Sequence, residues 1–158
     1  MPVYLYTYHS YRSWMPDNPR GYVRRGEGLQ PPDEEMAAQY IRNAAHAEFK
    51  FDELMRRVIV RTARDLCEKR GWRLHQIHVI PSHVHVLVSW PDVQDWKRIR
   101  NTLKRHFGKD ISKALDRPGP WFSRGASRKR VRDRQHFDYL MNVYLPRHHG
   151  TSWREASS

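Results

Sequence analysis

Cysteine, acidic residues and long apolar runs are all scarce in this sequence, and each scarcity excludes a class of protein. The only cysteine among the 158 residues is Cys67, which excludes an intramolecular disulfide framework and a cysteine-rich zinc module. No apolar run approaches the ~20 residues of a membrane helix, and the N-terminus lacks the charged and apolar regions of a secretory signal. We therefore expect a cytoplasmic protein that does not engage a membrane. Walker, glycine-rich nucleotide-binding and serine-hydrolase motifs are also missing.

Positive charge is abundant and concentrated. The sequence has 29 Lys and Arg against 17 Asp and Glu, a net charge of +12. Residues 97–134 carry 14 of the basic residues and three Asp, so +11 lies in this one stretch. Such a stretch, interleaved with aromatic residues, favours nucleic acid as the partner, and a solvated charged surface is the alternative. The residues predicted to bind nucleic acid are Arg98, Arg100, Lys104, Arg105, Arg124, Arg128, Lys129, Arg130 and Arg132.

Hydrophobic periodicity predicts one α+β domain over residues 1–150, with a short C-terminal tail at 151–158. Strand-like runs occupy residues 3–9, 72–80 and 83–90, and a further short strand is expected within 121–131. Helical spacing begins near residues 33, 52, 95 and 133, and a long turn-rich loop covers about 12–32. This order of elements is typical of a ferredoxin-like antiparallel sheet with helices packed on it.

The most specific motif is His83-Val84-His85, within the run Ile-Pro-Ser-His-Val-His-Val-Leu-Val that begins at residue 80. Strand residues two apart project from the same face, so both imidazoles can bind one divalent ion. A hydrogen-bonded pair of histidines on a half-exposed strand is the alternative. His75 and His78 precede them on the neighbouring predicted strand, which leaves a zinc site of three histidines, such as His78, His83 and His85, open.

The last predicted helix carries two tyrosines, Tyr139 and Tyr144. A tyrosine is a credible nucleophile when a metal polarises the electrophile, and plain packing is the alternative role. At about 100° per residue, Tyr144 shares one helix face with Phe137, Leu140 and Met141, whereas Tyr139 points nearly opposite. Tyr144 is therefore the favoured nucleophile and Tyr139 the alternative.

Together these motifs resemble the single-tyrosine HUH transposases, including the REP-associated tyrosine transposases of bacteria. The run from residue 80 is similar to the family's Met-Pro-Asn-His-Val-His strand, followed by apolar residues. Shorter similarities cover most of residues 3–150, at Tyr4–His9, Trp14-x-Pro16, Arg70-Gly71-Trp72 and Trp121-x-x-x-Gly125. The resemblance implies an HUH endonuclease-like fold.

The resemblance also implies a reaction. His83 and His85 would hold Mg²⁺ or Mn²⁺ against the scissile phosphate of single-stranded DNA. The tyrosine would attack that phosphate, leaving a 5′-phosphotyrosine and a free 3′-hydroxyl, and the reverse step would rejoin strands. The family further implies recognition of DNA hairpins and a homodimer.

The sequence departs from the family near the tyrosine. The family places Asn or Gln four residues after the tyrosine to complete the metal site, whereas Tyr144 is followed at that spacing by His148, with Pro146 between them. We expect His148 as the third ligand; the alternatives are His149 and Asn142. Three functions therefore remain open: a DNA transposase, a catalytically inactive or domesticated relative that binds structured nucleic acid, and a hydrolytic metalloprotein that uses His78, His83 and His85 around Zn²⁺.

Overall fold

The computed structural model describes residues 1–12, 22–24, 28–30 and 49–157, with the backbone alone for 22–24 and 28–30. The helix expected from Asp33 lies outside the described residues, as does most of the loop expected at 12–32. Within that loop, β2 (Tyr22–Arg24) and β3 (Gly28–Gln30) pair antiparallel.

Five further strands and three helices make up the rest of the described fold. The strands are β1 (Val3–His9), β4 (Arg73–Val79), β5 (His83–Ser89), β6 (Ser127–Arg130) and β7 (Thr151–Arg154). The helices are α1 (Glu53–Arg70), α2 (Trp96–Leu115) and α3 (Arg134–Tyr139), the last followed by a π turn (Leu140–Tyr144) and a 3₁₀ turn (Leu145–Arg147). The strands form one antiparallel sheet in the order β6-β1-β5-β4-β7, which confirms the predicted α+β class.

The two long helices begin and end where local signals predict. The Asp52 carboxylate accepts a hydrogen bond from the Met55 amide at the start of α1, and Gly71 ends that helix in the left-handed conformation at φ 73°. Asp95 caps α2 in the same way through the Lys97 amide. Each cap needs only neighbouring residues, which is why the sequence alone locates these boundaries.

Helices α1 and α2 cover one face of the sheet. Alternation along β1 directs Tyr4, Tyr6 and Tyr8 into this layer, where they join buried residues such as Ile59 of α1 and Leu103 of α2. The opposite face of β1 carries Leu5, Thr7 and His9. The sheet therefore separates a large aromatic core from a second, smaller layer.

The smaller layer is built by α3 and the two turns after it. Leu140, Met141 and Leu145 are buried there against Leu5 of β1 and Leu87 of β5. The last predicted helix thus lies on the face of the sheet that carries the two motif histidines. Among the described residues, none of the helices has the length and apolar composition needed to cross a membrane.

The C-terminal residues correct one prediction. Residues 151–158 were expected to form a short tail, but Thr151–Arg154 forms the edge strand β7 and pairs with β4 from Gln76↔Arg154 to Val79↔Thr151. Its partly buried Trp153 packs on the aromatic core, under the guanidinium of Arg64. Four residues of mixed polarity give a weak local strand signal, so pairing with β4 decides this structure.

Candidate active site

The two motif histidines project from β5 into the smaller layer, as strand alternation predicts. Their ring centroids are 4.7 Å apart, and Val84 and Val86 point into the opposite, aromatic layer. Each Nδ1 has a hydroxyl partner: Ser82 Oγ lies 2.9 Å from His83 Nδ1, and Thr7 Oγ1 lies 2.8 Å from His85 Nδ1. These contacts orient both rings, since the partner of one ring nitrogen selects the role of the other.

His148 completes a cluster of three imidazoles. Its ring centroid lies 4.3 Å from that of His85 and 5.9 Å from that of His83, and one nitrogen from each ring falls within 4.8 Å of the others. Pro146 does not prevent this approach because it belongs to the 3₁₀ turn, after which His148 is extended. Its Nδ1 and its backbone amide both face the Leu145 carbonyl oxygen, at 3.3 and 3.0 Å.

The other ligand candidates lie differently. The Asn142 Oδ1 atom accepts a 2.7 Å hydrogen bond from the Arg154 guanidinium, which directs it toward β7. His149 is exposed and does not belong to the cluster of three. Of the three residues considered for the third position, the structure brings His148 to the histidine pair.

His85 shows that the cluster fits a divalent cation. Burial, reinforced by repulsion from His83 and His148, lowers the pKa of His85 to about 2, and burial likewise lowers the pKa of His83 to about 4. Both rings are therefore neutral at pH 7, the form that ligates metals. When His85 Nδ1–H donates to Thr7, Nε2 presents its lone pair, and this buried atom has no hydrogen-bond partner among the described residues. Leaving such an atom unsatisfied costs about 1–3 kcal/mol, a penalty that a bound cation removes.

The two histidines of β4 are not available as ligands, contrary to one expectation. His78 Nδ1 lies 3.0 Å from the His148 carbonyl oxygen and its Nε2 lies 2.6 Å from Gln76 Oε1. His75 sits at an irregularity in the β4–β5 register, with Glu155 and Ser89 at its two nitrogens. Both rings are held through both nitrogens, so the alternative zinc site of His78, His83 and His85 does not form.

Tyr144 is the tyrosine beside the imidazoles. Its ring centroid is 4.9 Å from that of His148 and 5.7 Å from that of His85, and the side chain is half-buried. Tyr139 is 45% exposed, yet its ring lies only 6.4 Å from that of Tyr144. The projection at 100° per residue wrongly sets the two tyrosines on opposite faces. In a π turn, where the Leu145 amide bonds the Leu140 carbonyl, residues five apart come to one side.

The π turn is held by two strands. The Met141 carbonyl oxygen accepts hydrogen bonds from Gln76 Nε2 at 3.0 Å and from the Arg154 guanidinium at 3.2 Å. Gln76 also holds His78, which in turn bonds the backbone of His148. Side chains of β4 and β7 therefore determine where the turn presents Tyr144 and His148.

Sequence reasoning missed several of these supporting residues. Thr7 and Gln76 carry no motif, and only strand pairing places them at the site. His9 was overlooked as well: it pairs with His83 across β1 and β5, and their ring centroids are 5.8 Å apart. Burial lowers the pKa of His9. Period-two alternation from Thr7 to His9 is the one signal that could have identified it.

Two of the predicted nucleic-acid residues donate hydrogen bonds to backbone carbonyl oxygens of the described chain. Lys104 Nζ donates to the carbonyl oxygens of Ser123 and Gly125, at 2.7 and 2.9 Å, and burial lowers its pKa to about 8. Arg100 donates to the Ala126 carbonyl oxygen at 3.0 Å. These side chains brace the segment that leads into β6, so we assign them first to the fold.

The remaining basic residues divide between the two faces. Arg128 lies 4.0 Å from the centroid of the Trp96 ring, on the side of the long helices. Lys129 alternates to the other side, because it pairs with Leu5 of β1. The rest of the predicted set is exposed: Arg98, Arg105, Arg124, Arg130 and Arg132.

Comparison with known proteins identifies the fold. No family model matches the chain, and no curated protein matches it. A solved structure of a REP-associated tyrosine transposase bound to a REP hairpin is similar, with a TM-score of 0.50 and 13% identity, over 91% of this chain and 64% of that one. The chain thus spans less than two thirds of that protein's length. A candidate transposase from Deinococcus radiodurans R1 aligns with a TM-score of 0.45 and 15% identity, over 96% and 94% of the two chains. The first similarity confirms, at the level of fold, the resemblance inferred from the motifs.

Proposed function

We propose that this protein is a metal-dependent endonuclease and strand transferase that acts on hairpin-bearing single-stranded DNA in DNA transposition. The observation that carries the proposal is the convergence of His83, His85 and His148 beside Tyr144. The fold is that of a transposase whose structure holds a REP hairpin, which supports a hairpin as the substrate.

The three imidazoles are the residues that would hold the cation. A bound Mg²⁺ or Mn²⁺ supplies a Lewis acid at the scissile phosphate. Imidazole suits transition metals better than Mg²⁺, which prefers oxygen ligands, so the donor set favours Mn²⁺. Thr7 and Ser82 orient the imidazole rings of His83 and His85. Because both rings are neutral near pH 7, protons compete little with the cation for their nitrogens.

Tyr144 supplies the nucleophile in this proposal. Its phenolic oxygen forms a bond to the scissile phosphorus while the bond from phosphorus to the 3′-oxygen breaks. The phenol proton is released to solvent and the leaving 3′-oxygen takes up a proton, so the products are a 5′-phosphotyrosine and a 3′-hydroxyl. The reverse step, attack of a 3′-hydroxyl on the phosphotyrosine, rejoins a strand without an external energy source.

A covalent-capture assay tests this function. The protein is incubated with single-stranded hairpin DNA from its own genomic flanks and Mg²⁺ or Mn²⁺, and the products are separated on a denaturing gel. Wild-type protein should give a protein–DNA band that Tyr144→Phe loses and the matched variant Tyr139→Phe retains. His83→Ala should abolish the band while leaving most DNA binding intact.

The same assay separates the transposase from the relative that only binds nucleic acid. Tight hairpin binding with no band for any metal or hairpin would identify a non-catalytic nucleic-acid-binding protein. An unchanged band in His83→Ala would refute the assignment of the metal site, and loss of the band in Tyr139→Phe alone would exchange the roles of the two tyrosines.

A further inference from the structure

A cleft of about 950 Å³ opens on the same face of the sheet as the histidine cluster, but at the opposite end of the strands. Val3 and Ser89, which pair across β1 and β5, lie in its floor, whereas His9 and His83 pair at the other end of these strands. Six residues separate the two rows, a distance of about 20 Å at ~3.3 Å per residue. The cleft is therefore distinct from the metal cluster.

Arginines dominate the charge of this cleft. Five arginines and three carboxylates line it, and each carboxylate already has a partner. Glu155 bonds Arg73 and His75, Asp138 bonds Arg134, and Asp133 caps α3 through the His136 amide. Two positive charges are left uncompensated.

The uncompensated charge lies on the rim formed by the residues after β6. Arg132 is exposed and forms no ion pair with a carboxylate in the described part of the chain, whereas Arg130 pairs with Tyr4 and directs its side chain toward the long helices. Arg154 also lines the cleft, and its guanidinium bonds only the Met141 carbonyl and the Asn142 side chain among the described residues. Guanidinium groups match phosphate oxygens in charge and can bind two of them at once.

One wall of the cleft is the segment that carries the proposed nucleophile. Phe137 and Met141 belong to α3 and the π turn, and Asn142 is two residues before Tyr144. A single DNA strand lying in the cleft would therefore run along the π turn toward Tyr144. The volume suits a few nucleotides, since it lies in the range of small-molecule sites.

We propose that this cleft binds the phosphodiester groups of an unpaired DNA segment adjoining the cleavage site, with Arg132 and Arg154 as its principal phosphate contacts. This inference rests on the proposed function, because it assumes single-stranded DNA as the substrate. The 20 Å span corresponds to about six nucleotides at a 3.4 Å rise, and fewer in an extended strand. The affinity of the protein for a hairpin would then depend on the length of the single-stranded DNA next to it.

The test is fluorescence anisotropy in EDTA, which prevents metal-dependent cleavage. One labelled hairpin carries a single-stranded tail of 10 nucleotides on the side of the cleavage site. The control hairpin is identical except that its tail has two nucleotides. Wild-type protein should bind the longer tail about tenfold more tightly at 50 mM salt. Arg132→Gln should lose most of this gain, with a salt slope shallower by about one, whereas Arg61→Gln, an exposed arginine of α1, should keep it.

Three results would overturn the inference: equal affinity for the two tails, equal losses in the two variants, or a loss in Arg132→Gln that is the same for both tails. A chain unfolded by the substitution is recognised by circular dichroism, and Arg132→Ser then provides the second variant. Failure of the proposed reaction is distinguishable, because it removes the covalent band and leaves the tail-dependent binding in EDTA unchanged.

Discussion

Acid should destabilise this protein through His85 in a way that one variant can isolate. Burial is the main cause that lowers the pKa of His85 from 6.5 to about 2. Between these two pH values the unfolded chain binds a proton at this ring and the folded chain does not. The stabilising contribution of neutral His85 is therefore fully present above pH 6.5 and is lost progressively as the pH falls toward 2.

The size of the effect follows from the same values. The pH of 5 is about 1.5 units below the pKa of the His85 ring in the unfolded chain. Protonation of this ring therefore favours unfolding by about 2 kcal/mol relative to pH 7.5. His85 is only 4% exposed, so solvent screens little of this term. For a chain of this length, 2 kcal/mol corresponds to a fall in Tm of about 4–8 °C.

The measurement is urea unfolding followed by tryptophan fluorescence in EDTA, at pH 7.5 and pH 5, for wild type and His85→Gln. Several other histidines have lowered pKa values, including His9, His75, His78 and His83, and the part of their contributions that does not depend on His85 cancels in the difference between the two proteins. The free energy of unfolding should drop by about 2 kcal/mol more in wild type than in the variant. Identical pH dependence would show that His85 is not buried in its neutral form, and the argument for a preformed metal site would fail.

Two further predictions concern the segment that carries the nucleophile. Gln76→Met leaves the Met141 carbonyl without one of its two donors and should lower stability by about 1–3 kcal/mol. Covalent-adduct formation should slow by roughly tenfold or more with unchanged hairpin affinity in EDTA; an unchanged rate would mean that this contact does not position Tyr144. Gly150 has φ 149°, and a Cβ there would meet the Val79 carbonyl oxygen. Gly150→Ala should therefore cost about 2 kcal/mol in urea unfolding, and a neutral effect would contradict this close approach.

Local signals in the sequence account for much of the fold. Asp52 and Gly71 mark the ends of α1, and the apolar runs on either side of Pro81 form the antiparallel pair β4 and β5. β7 was missed because Thr151–Arg154 shows no clear alternation and becomes a strand only through pairing with β4. The π turn was missed because its hydrogen-bond pattern is stabilised by partners far away in sequence, such as Gln76.

The residues of the candidate site also differ in how far local sequence predicts them. His83 and His85 were identified from the sequence because residues two apart on a strand must share a face, a property of the backbone alone. Tyr144 was favoured over Tyr139 by an α-helical projection that the structure does not follow, although Tyr144 is the tyrosine beside the imidazoles. Lys104 was predicted to bind nucleic acid from its charge, and the sequence does not show that its ammonium group contacts the carbonyl oxygens of Ser123 and Gly125.

Residues a few positions apart are enough to predict the α+β class, the helix caps and the shared face of His83 and His85. The fold as a whole brings His148 to this pair, holds His75 and His78 in other hydrogen bonds, and sets which arginines line one cleft. These outcomes depend on strand register and on contacts between segments far apart in the sequence, such as His75 with Glu155, which are 80 residues apart. Side-chain chemistry is local, whereas the convergence of side chains into a site is a property of the folded chain.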